Sequence, residues 1–128
     1  MKFVTLVLTP YNTYWYYNSS SEEISEDMLI LGGFFISDFE CGSRSYRDWA
    51  IEDSVKTATC SNCTLLEKKN GFILLSNLYS ESKSPIHVKM TDQQFIQLCD
   101  EWESKVCKHR PKEVIIRYEN NQFFIETH

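Results

Sequence analysis

The stretch "TDQQFIQLCDEWESKVCKH", residues 91 to 109, decides the fold. Thr91 and Gln94 have the spacing of a capping box, in which each side chain accepts a hydrogen bond from the other residue's backbone N–H. Apolar residues then recur at steps of three and four, which places them in one stripe of a helix. They are Phe95, Leu98, Cys99, Trp102 and Val106. Pro111 favours a helix end just after Arg110. The pattern predicts an amphipathic helix over about 91–109.

Strand-forming runs lie on both sides of this helix. Asn70-Gly71 separates two of them, and this dipeptide between extended runs is the strongest short hairpin signal. Residues 113–127 predict a second hairpin with "ENN" at its turn. β-branched and aromatic residues predict further strands at 2–8, 13–17, 28–39 and 85–90.

Three local features complete the expected secondary structure. Pro10 is expected to end the first strand, and Gly32-Gly33 to form a bulge or a tight turn within 28–39. Residues 18–27 are polar and acidic, which is typical of a loop. Residues 41–54 are irregular in pattern, with a short helical turn expected around 46–51.

The order of elements is a run of strands, one firm helix and a final hairpin. This order predicts an α+β fold with a mainly antiparallel β-sheet, the principal helix packed on one face and a C-terminal β-hairpin. A chain of 128 residues fits one compact domain, and neither a repeat nor a Pro/Gly-rich linker divides it. We therefore expect a single domain over 1–128.

The charge is negative and unevenly distributed. The formal net charge is -5, and residues 1–53 hold three basic against nine acidic side chains, a balance of −6. Nucleic-acid binders carry a basic patch, so we expect no nucleic acid as a partner. No apolar run is long enough to cross a bilayer, so we expect no membrane association. A one-sided acidic surface attracts basic protein partners and speeds their encounter.

The cysteines are the main candidates for chemistry. There are five of them, at Cys41, Cys60, Cys63, Cys99 and Cys107. Cys60 and Cys63 have the C-x-x-C spacing of zinc and redox sites, but no second close Cys or His pair completes a structural zinc site. The motif leads into a hairpin, which predicts that "TCSNCT" is part of a strand and turn with packed thiols rather than a metal or redox pair. An odd cysteine count without an export signal predicts reduced thiols in the cytoplasm.

No catalytic motif stands out in the chain. A phosphate-binding loop, a G-x-S-x-G elbow and an H-E-x-x-H pair are all missing from the sequence. We therefore expect no enzyme activity, no metal and no cofactor. Cys99, on the apolar stripe, is expected to be a small buried hydrophobe.

Aromatic and acidic residues in the first half predict a partner-binding surface. Alternation along 13–17 places Tyr14 and Tyr16 on one face, and exposed tyrosines supply stiff, amphipathic contact area. Asp38 and Glu40 are expected on one exposed strand face, and Trp49 is the aromatic residue of the irregular segment. The candidate contact residues are Tyr14, Tyr16, Glu22, Glu23, Glu26, Asp27, Asp38, Glu40, Asp48 and Trp49.

Residues 87–127 resemble the C-terminal part of small bacterial immunity proteins. The resemblance rests on a strand that enters a Thr-capped helix, on Asp100, Glu101 and Trp102 near its middle, and on the step Pro111–Glu113 before a hairpin. Such proteins neutralise toxic domains delivered to neighbouring bacteria, as in contact-dependent growth inhibition. The resemblance implies a cytoplasmic protein that occludes a cognate protein toxin, for example a basic nuclease. No binding residue carries over, because toxin-contacting residues in such families vary with the toxin.

Two other functions stay open at this point. One is a small metal- or thiol-dependent enzyme that uses Cys60 and Cys63 with a spatially close Cys or His. The other is a non-catalytic subunit of a larger assembly, whose aromatic strand forms an oligomer interface. Bound zinc would favour the first function, and the mass in solution would test the second.

Overall fold

The computed structural model of the chain describes residues 1–20, 25–52 and 57–128. It confirms an α+β fold with antiparallel sheets. The strands are β1 (Lys2–Tyr11), β2 (Tyr14–Ser19), β3 (Ala58–Cys60), β4 (Thr64–Lys69), β5 (Phe72–Asn77), β6 (His87–Thr91), β7 (Glu113–Glu119) and β8 (Gln122–Thr127). The helices are α1 (Glu26–Gly33), α2 (Ser45–Ile51) and α3 (Asp92–Glu101). α1 and α3 continue directly into π-helical segments, Phe34–Asp38 and Trp102–Cys107.

The strands divide into two sheets of four. The first has the order β2-β1-β7-β8 and the second the order β3-β4-β5-β6, and every neighbouring pair is antiparallel. The first sheet joins the two ends of the chain, because β1 pairs with β7 in a register that sets Val4 opposite Ile116. The second sheet is a meander formed by the middle of the chain, from β3 to β6.

The principal helix forms as its sequence predicts. The Thr91 hydroxyl accepts a hydrogen bond from the Gln94 N–H at 3.1 Å, and the Gln94 side-chain oxygen accepts one from the Thr91 N–H at 3.0 Å. The predicted range of 91–109 is filled by α3 and the π-helical segment that follows it. Every member of the predicted apolar stripe is buried, namely Phe95, Leu98, Cys99, Trp102 and Val106.

The strand predicted at 28–39 is wrong, because this segment is α1 and its π-helical extension. Burial follows a helical spacing: the fully buried side chains in this segment include Met28, Leu31, Phe34 and Phe35. α1 contacts strands of both sheets, and its exposed position Leu29 is apolar as well. Residues 28–36 therefore contain no polar side chain that would reveal a helical period, and the helix looks like a buried strand.

Gly32 lies in α1 for a packing reason rather than as the predicted bulge or turn. A Cβ atom at this position would meet both methyl carbons of Val4 at 3.3 Å. The missing side chain therefore lets the helix backbone approach β1 closely. Gly33, one residue later, has helical φ and ψ of -60° and -39° and nothing within 4 Å of an added Cβ.

The predicted hairpins and the short helical turn are confirmed. Asn70 and Gly71 have φ of 52° and 82° at the turn between β4 and β5, and Asn120 and Asn121 form the turn between β7 and β8 with φ of 53° and 60°. α2 occupies the range expected for a helical turn. Pro10, however, does not end β1, because β7 pairs with β1 only as far as Val7. The Leu8 N–H still donates to the Lys112 carbonyl at 2.9 Å, but beyond Leu8 this edge of β1 has no neighbouring strand among the described residues, and a proline is tolerated there.

The buried side chains of both sheets and all three helices form one hydrophobic cluster. Phe34 lies within it and packs edge-on against Phe35 at a ring-centroid distance of 5.1 Å and against Tyr46 at 5.2 Å. Phe35 stacks on Trp102 at 5.0 Å. The two π-helical segments thus meet through their aromatic rings.

Cys41 and Cys107 form a disulfide bond. The expectation of reduced thiols throughout is therefore wrong for this pair. Their Cα atoms are 5.7 Å apart although 66 residues separate them in sequence, a proximity that spacing alone does not reveal. The bond ties the segment after the first π-helix to the end of the second.

Candidate functional site

The β1–β2 hairpin extends past its sheet and carries exposed aromatic rings. We define the aromatic tip as Tyr11, Tyr14, Trp15 and Tyr16. Tyr11, Tyr14 and Trp15 are 53%, 60% and 53% exposed. The Tyr11 ring packs against Tyr14 and Tyr16 at centroid distances of 6.2 and 5.2 Å, which confirms that Tyr14 and Tyr16 share a face. The tip thus presents a tyrosine cluster on one side and Trp15 on the other.

A groove of about 370 Å³ lies on the Trp15 side of the hairpin. We define it as the aromatic groove, and its walls include Trp15, Tyr17, Phe35, Phe39, Trp102, the Cys41–Cys107 disulfide and Arg110. The Tyr17 hydroxyl donates a hydrogen bond to the Pro111 carbonyl at 2.6 Å. Burial raises the pKa of Tyr17, against a smaller lowering by the charge of Arg110, so the donating hydroxyl keeps its proton at neutral pH.

The turn "CSNC" places a carboxylate beneath the surface. Ser61 N–H donates to the Thr64 carbonyl at 2.9 Å, which closes the turn between β3 and β4. The hydroxyls of Ser61 and Thr64 donate to Asp38 Oδ2 at 2.7 and 2.9 Å. Asp38 is 7% exposed, and its second oxygen, Oδ1, has no hydrogen-bond partner among the described residues.

Asp38 lines a polar cavity of about 390 Å³. We define this as the anionic cavity, lined by Asp38, Glu40, Ser43, Ser45, Tyr46, Cys60, Ser61 and Asn62. Burial raises the pKa of the Tyr46 hydroxyl, a hydrogen bond with Ser61 lowers it, and the nearby Asp38, Cys60 and Glu40 raise it further. Burial is the largest cause of this raised pKa, and the neighbouring acidic groups of the cavity wall add to it.

The aromatic groove and the anionic cavity share a wall. Phe39 and Cys41 line the groove, whereas Asp38, Glu40 and Ser43 line the cavity. The short segment after the first π-helix therefore separates an apolar site from an acidic one. Together with the aromatic tip, these two sites form what we call the binding face.

The predicted contact residues divide between this face and other places. Tyr14 is exposed and Tyr16 half-buried on the aromatic tip. Glu40 is exposed beside the anionic cavity, but Asp38 is buried rather than on the exposed strand face that was expected. The reason is that Asp38 ends a helical segment and points its carboxylate to the hydroxyls of the second sheet. Glu22 and Glu23 lie outside the described residues.

The other acidic candidates lie at the starts of helices. Asp27 accepts a hydrogen bond from Lys2 Nζ at 2.7 Å, and Glu26 is its exposed neighbour in the first turn of α1. Burial raises the pKa of Asp27, but hydrogen bonds from Lys2 and Ser25, with the Lys2 charge, bring it below its ordinary value. Asp48 is exposed in α2 and pairs with a neighbouring arginine at 3.8 Å.

Trp49 is a buried residue of α2 rather than a surface aromatic. Lys68 Nζ lies 4.7 Å from the centroid of its ring, and the same ammonium donates to the Trp49 and Glu52 carbonyls. This cation–π contact and the carbonyl bonds anchor α2 on the second sheet. The Trp49 side chain is therefore not available to a partner at the surface.

Cys60 and Cys63 flank the turn as free, exposed thiols. The prediction of a strand and turn is confirmed, but the prediction that these thiols pack is wrong, because both lie at the edge of the second sheet. Cys99 is buried as expected, and burial raises the pKa of its thiol to about 12. Across the ranges that the structure describes, no three His, Cys, Asp or Glu residues gather in a way that could hold a metal ion.

Sequence reasoning missed several residues of the binding face, among them Trp15, Tyr11 and Tyr46. Trp15 and Tyr11 belong to the aromatic tip but were not among the predicted contacts. The sequence signal that could have included them is Asn12, a residue type that tolerates positive φ and has a φ of 55° in the turn between β1 and β2. Tyr46 belongs to the wall of the anionic cavity. No spacing connects it with Asp38 or Ser61, so only the fold brings these groups together.

The chain matches no family model, and comparisons with curated proteins and with solved structures found no match. In the described part of the chain no helix has the length and apolar character needed to cross a membrane.

Proposed function

We propose that this chain is a binding protein that neutralises a cognate toxin domain by covering its active surface. The observation that carries the proposal is the exposure of Tyr11, Tyr14 and Trp15 at the aromatic tip. Large exposed patches of aromatic side chains mark interaction sites, and Tyr and Trp are enriched among the residues that dominate binding energy. The likeness of 87–127 to immunity proteins supports the same class of function.

Charge supports a basic partner. The anionic cavity places two carboxylates, Asp38 and Glu40, next to the aromatic groove. A toxin that cleaves nucleic acid carries basic side chains because it has to hold phosphate. An acidic inhibitor that covers this surface gains association rate and affinity from the opposite charge.

Hydrogen bonds tie the β1–β2 hairpin to the rest of the protein, which favours tight association. The Tyr17 hydroxyl donates to the Pro111 carbonyl, and Arg110 donates to the Trp15 carbonyl at the aromatic tip. Rigid surfaces lose less conformational entropy on binding.

The proposal keeps the cytoplasm as the place of action. Disulfides are rare in that compartment and common in oxidising ones. The thiol state of Cys41 and Cys107 in intact cells therefore tests the compartment. Free thiols in cells and a disulfide only after purification would agree with cytoplasmic action, whereas a disulfide within the cells would contradict it.

The experiment that tests the proposal is affinity capture from a lysate of the protein's own source. The protein is immobilised, the column is washed at rising salt, and bound proteins are identified by mass spectrometry. We expect one basic protein domain, retained in stoichiometric amount and released at high salt. A Tyr14→Ala/Trp15→Ala variant should lose it.

Tyr79→Ala is the matched control, because Tyr79 is 72% exposed and lies outside the binding face. Equal retention by the tip variant and the control would contradict the proposal. Retention of nothing except the protein itself would instead favour an oligomer interface at the aromatic tip, which light scattering then tests.

A further inference from the structure

The Asp38 carboxylate is buried, and its two oxygen atoms differ in their hydrogen bonding. Its Oδ2 atom accepts two hydroxyl hydrogen bonds, from Ser61 and Thr64, while its Oδ1 atom has none among the described residues. Burial of a polar atom without a hydrogen bond is unfavourable, and more so for a charged group. Most buried polar atoms in folded proteins are paired, so this oxygen calls for an explanation.

The cavity wall offers acceptors but no balancing cation. The residues that line it include two carboxylates, from Asp38 and Glu40, together with the hydroxyls of Ser43, Ser45 and Tyr46. No Lys, Arg or His is among those lining residues. Two carboxylates beside one cavity without a cation favour a positively charged ligand.

The chemistry of the wall favours an organic cation over a metal ion. In the described ranges the acidic and thiol groups do not form a set of three that could hold a metal. A guanidinium group carries five N–H donors in one plane and forms paired hydrogen bonds with carboxylates. It also stacks on aromatic rings such as that of Tyr46, which a compact ammonium group does less well.

We infer that the anionic cavity receives an arginine side chain of the basic partner, an inference that rests on the proposed function. The cavity volume of about 390 Å³ leaves room for a guanidinium and its methylene chain. Glu40 is exposed and meets the cation first. Asp38 Oδ1 is closed to solvent, so the guanidinium can reach this atom only if the neighbouring wall moves.

The site can be tested without any toxin. The probe is arginine capped at both ends, added to isotope-labelled protein while backbone amide shifts are recorded by NMR. We expect saturable shifts confined to residues 38–46 and 60–64. Capped citrulline has nearly the same shape without the charge and should produce none. Equal responses to both probes, or shifts located elsewhere, would overturn the inference.

Three variants locate the binding groups. Asp38→Asn keeps the size of the side chain and an oxygen for the Ser61 and Thr64 hydroxyls, and should weaken arginine binding by about tenfold or more. Glu40→Gln should weaken it about two- to fivefold, as for an exposed ion pair. Glu81→Gln makes the same charge change on an exposed residue outside the cavity and should leave binding unchanged.

Each outcome decides between the site and the proposed function. Glu40 is exposed, so its variant should fold and carry the test even if Asp38→Asn does not. If a captured basic domain binds the two cavity variants as tightly as the wild type, the arginine site is overturned while the proposed function stands. If capped arginine binds as expected but no basic domain is captured, the site stands and the proposed function fails.

Discussion

Helices α1 and α3 differ in what determines their helical structure. α1 and α3 each continue into a π-helical segment, but only α3 begins with a side-chain cap. α3 carries a polar face and an apolar stripe, so local signals define it. α1 is apolar on nearly all sides and contacts strands of both sheets. Tertiary packing rather than its own sequence therefore holds α1 in place.

The two helices meet where the binding face is formed. Asp38 ends the first π-helical segment, and Trp102 and Cys107 belong to the second. The aromatic groove lies between these two segments. The anionic cavity lies on the other side of the wall that it shares with the groove. Mid-helix changes to π geometry are frequent at functional sites, and here both of them border the same face.

Replacement of Phe34 is expected to have the largest effect on the free energy of unfolding. Its ring is fully buried, and the centroid of this ring lies 6.0 Å from the centroid of the Phe95 ring of α3. Phe34→Ala should lower the free energy of unfolding by about 3–5 kcal/mol, through lost apolar contact and the cavity left behind. Urea denaturation measures it, with Phe34→Leu as a milder control. A loss below about 1 kcal/mol would show that α1 does not depend on this packing.

The disulfide between the two segments should give the next largest effect. Cys41→Ser/Cys107→Ser should lower the free energy of unfolding by about 2–4 kcal/mol, because the bond closes a long loop in the unfolded chain. Thiol counting supplies the control. Two exposed thiols should react in the native protein, and buried Cys99 should add a third after unfolding. Five reactive thiols without reductant would contradict the disulfide.

The helix caps distinguish the two helices directly. Thr91→Ala removes the capping box of α3 and should lower the free energy of unfolding by about 1 kcal/mol. Ser25 precedes α1 and its side chain makes no cap hydrogen bond. Ser25→Ala should therefore have an effect of less than about 0.5 kcal/mol. Equal losses in chemical denaturation would mean that α1 is also specified locally.

The smallest expected difference in the free energy of unfolding is between the alanine variants of the two glycines of α1. Gly33→Ala should raise the free energy of unfolding by about 0.5–1 kcal/mol, because alanine favours the helix and nothing lies near the added methyl. Gly32→Ala should lack this gain, because its methyl would meet Val4 at 3.3 Å. Thermal unfolding of the two variants measures the difference. A clear destabilisation by Gly33→Ala would favour a strand or turn at this position.

The sequence predicts the parts of the fold whose signals are local. The capping box, the apolar stripe and the Asn-Gly turn each report a backbone conformation within a few residues. Residues 28–36 contain no polar side chain, so the helical period of this segment is hidden and its glycines resemble a break. The Cys41–Cys107 disulfide depends on an approach across 66 residues that no local pattern records.

The candidate site likewise has parts that local sequence signals predict and parts that they do not. Alternation along β2 predicts which tyrosines share a face, and the ring contacts confirm it. The burial of Asp38 was not predictable, because it depends on the hydroxyls of Ser61 in the β3–β4 turn and Thr64 in β4, which are distant in sequence. Trp49 was expected at the surface because its anchor, Lys68, lies 19 residues away in sequence.

The most direct test of the central claim is growth rescue in cells. The basic domain captured by the protein is expressed alone, with the wild-type protein, and with its Tyr14→Ala/Trp15→Ala variant. The proposal predicts that the domain stops growth, that the wild type restores it, and that the tip variant does not. A captured domain that is harmless, or full rescue by the tip variant, would contradict neutralisation through the binding face.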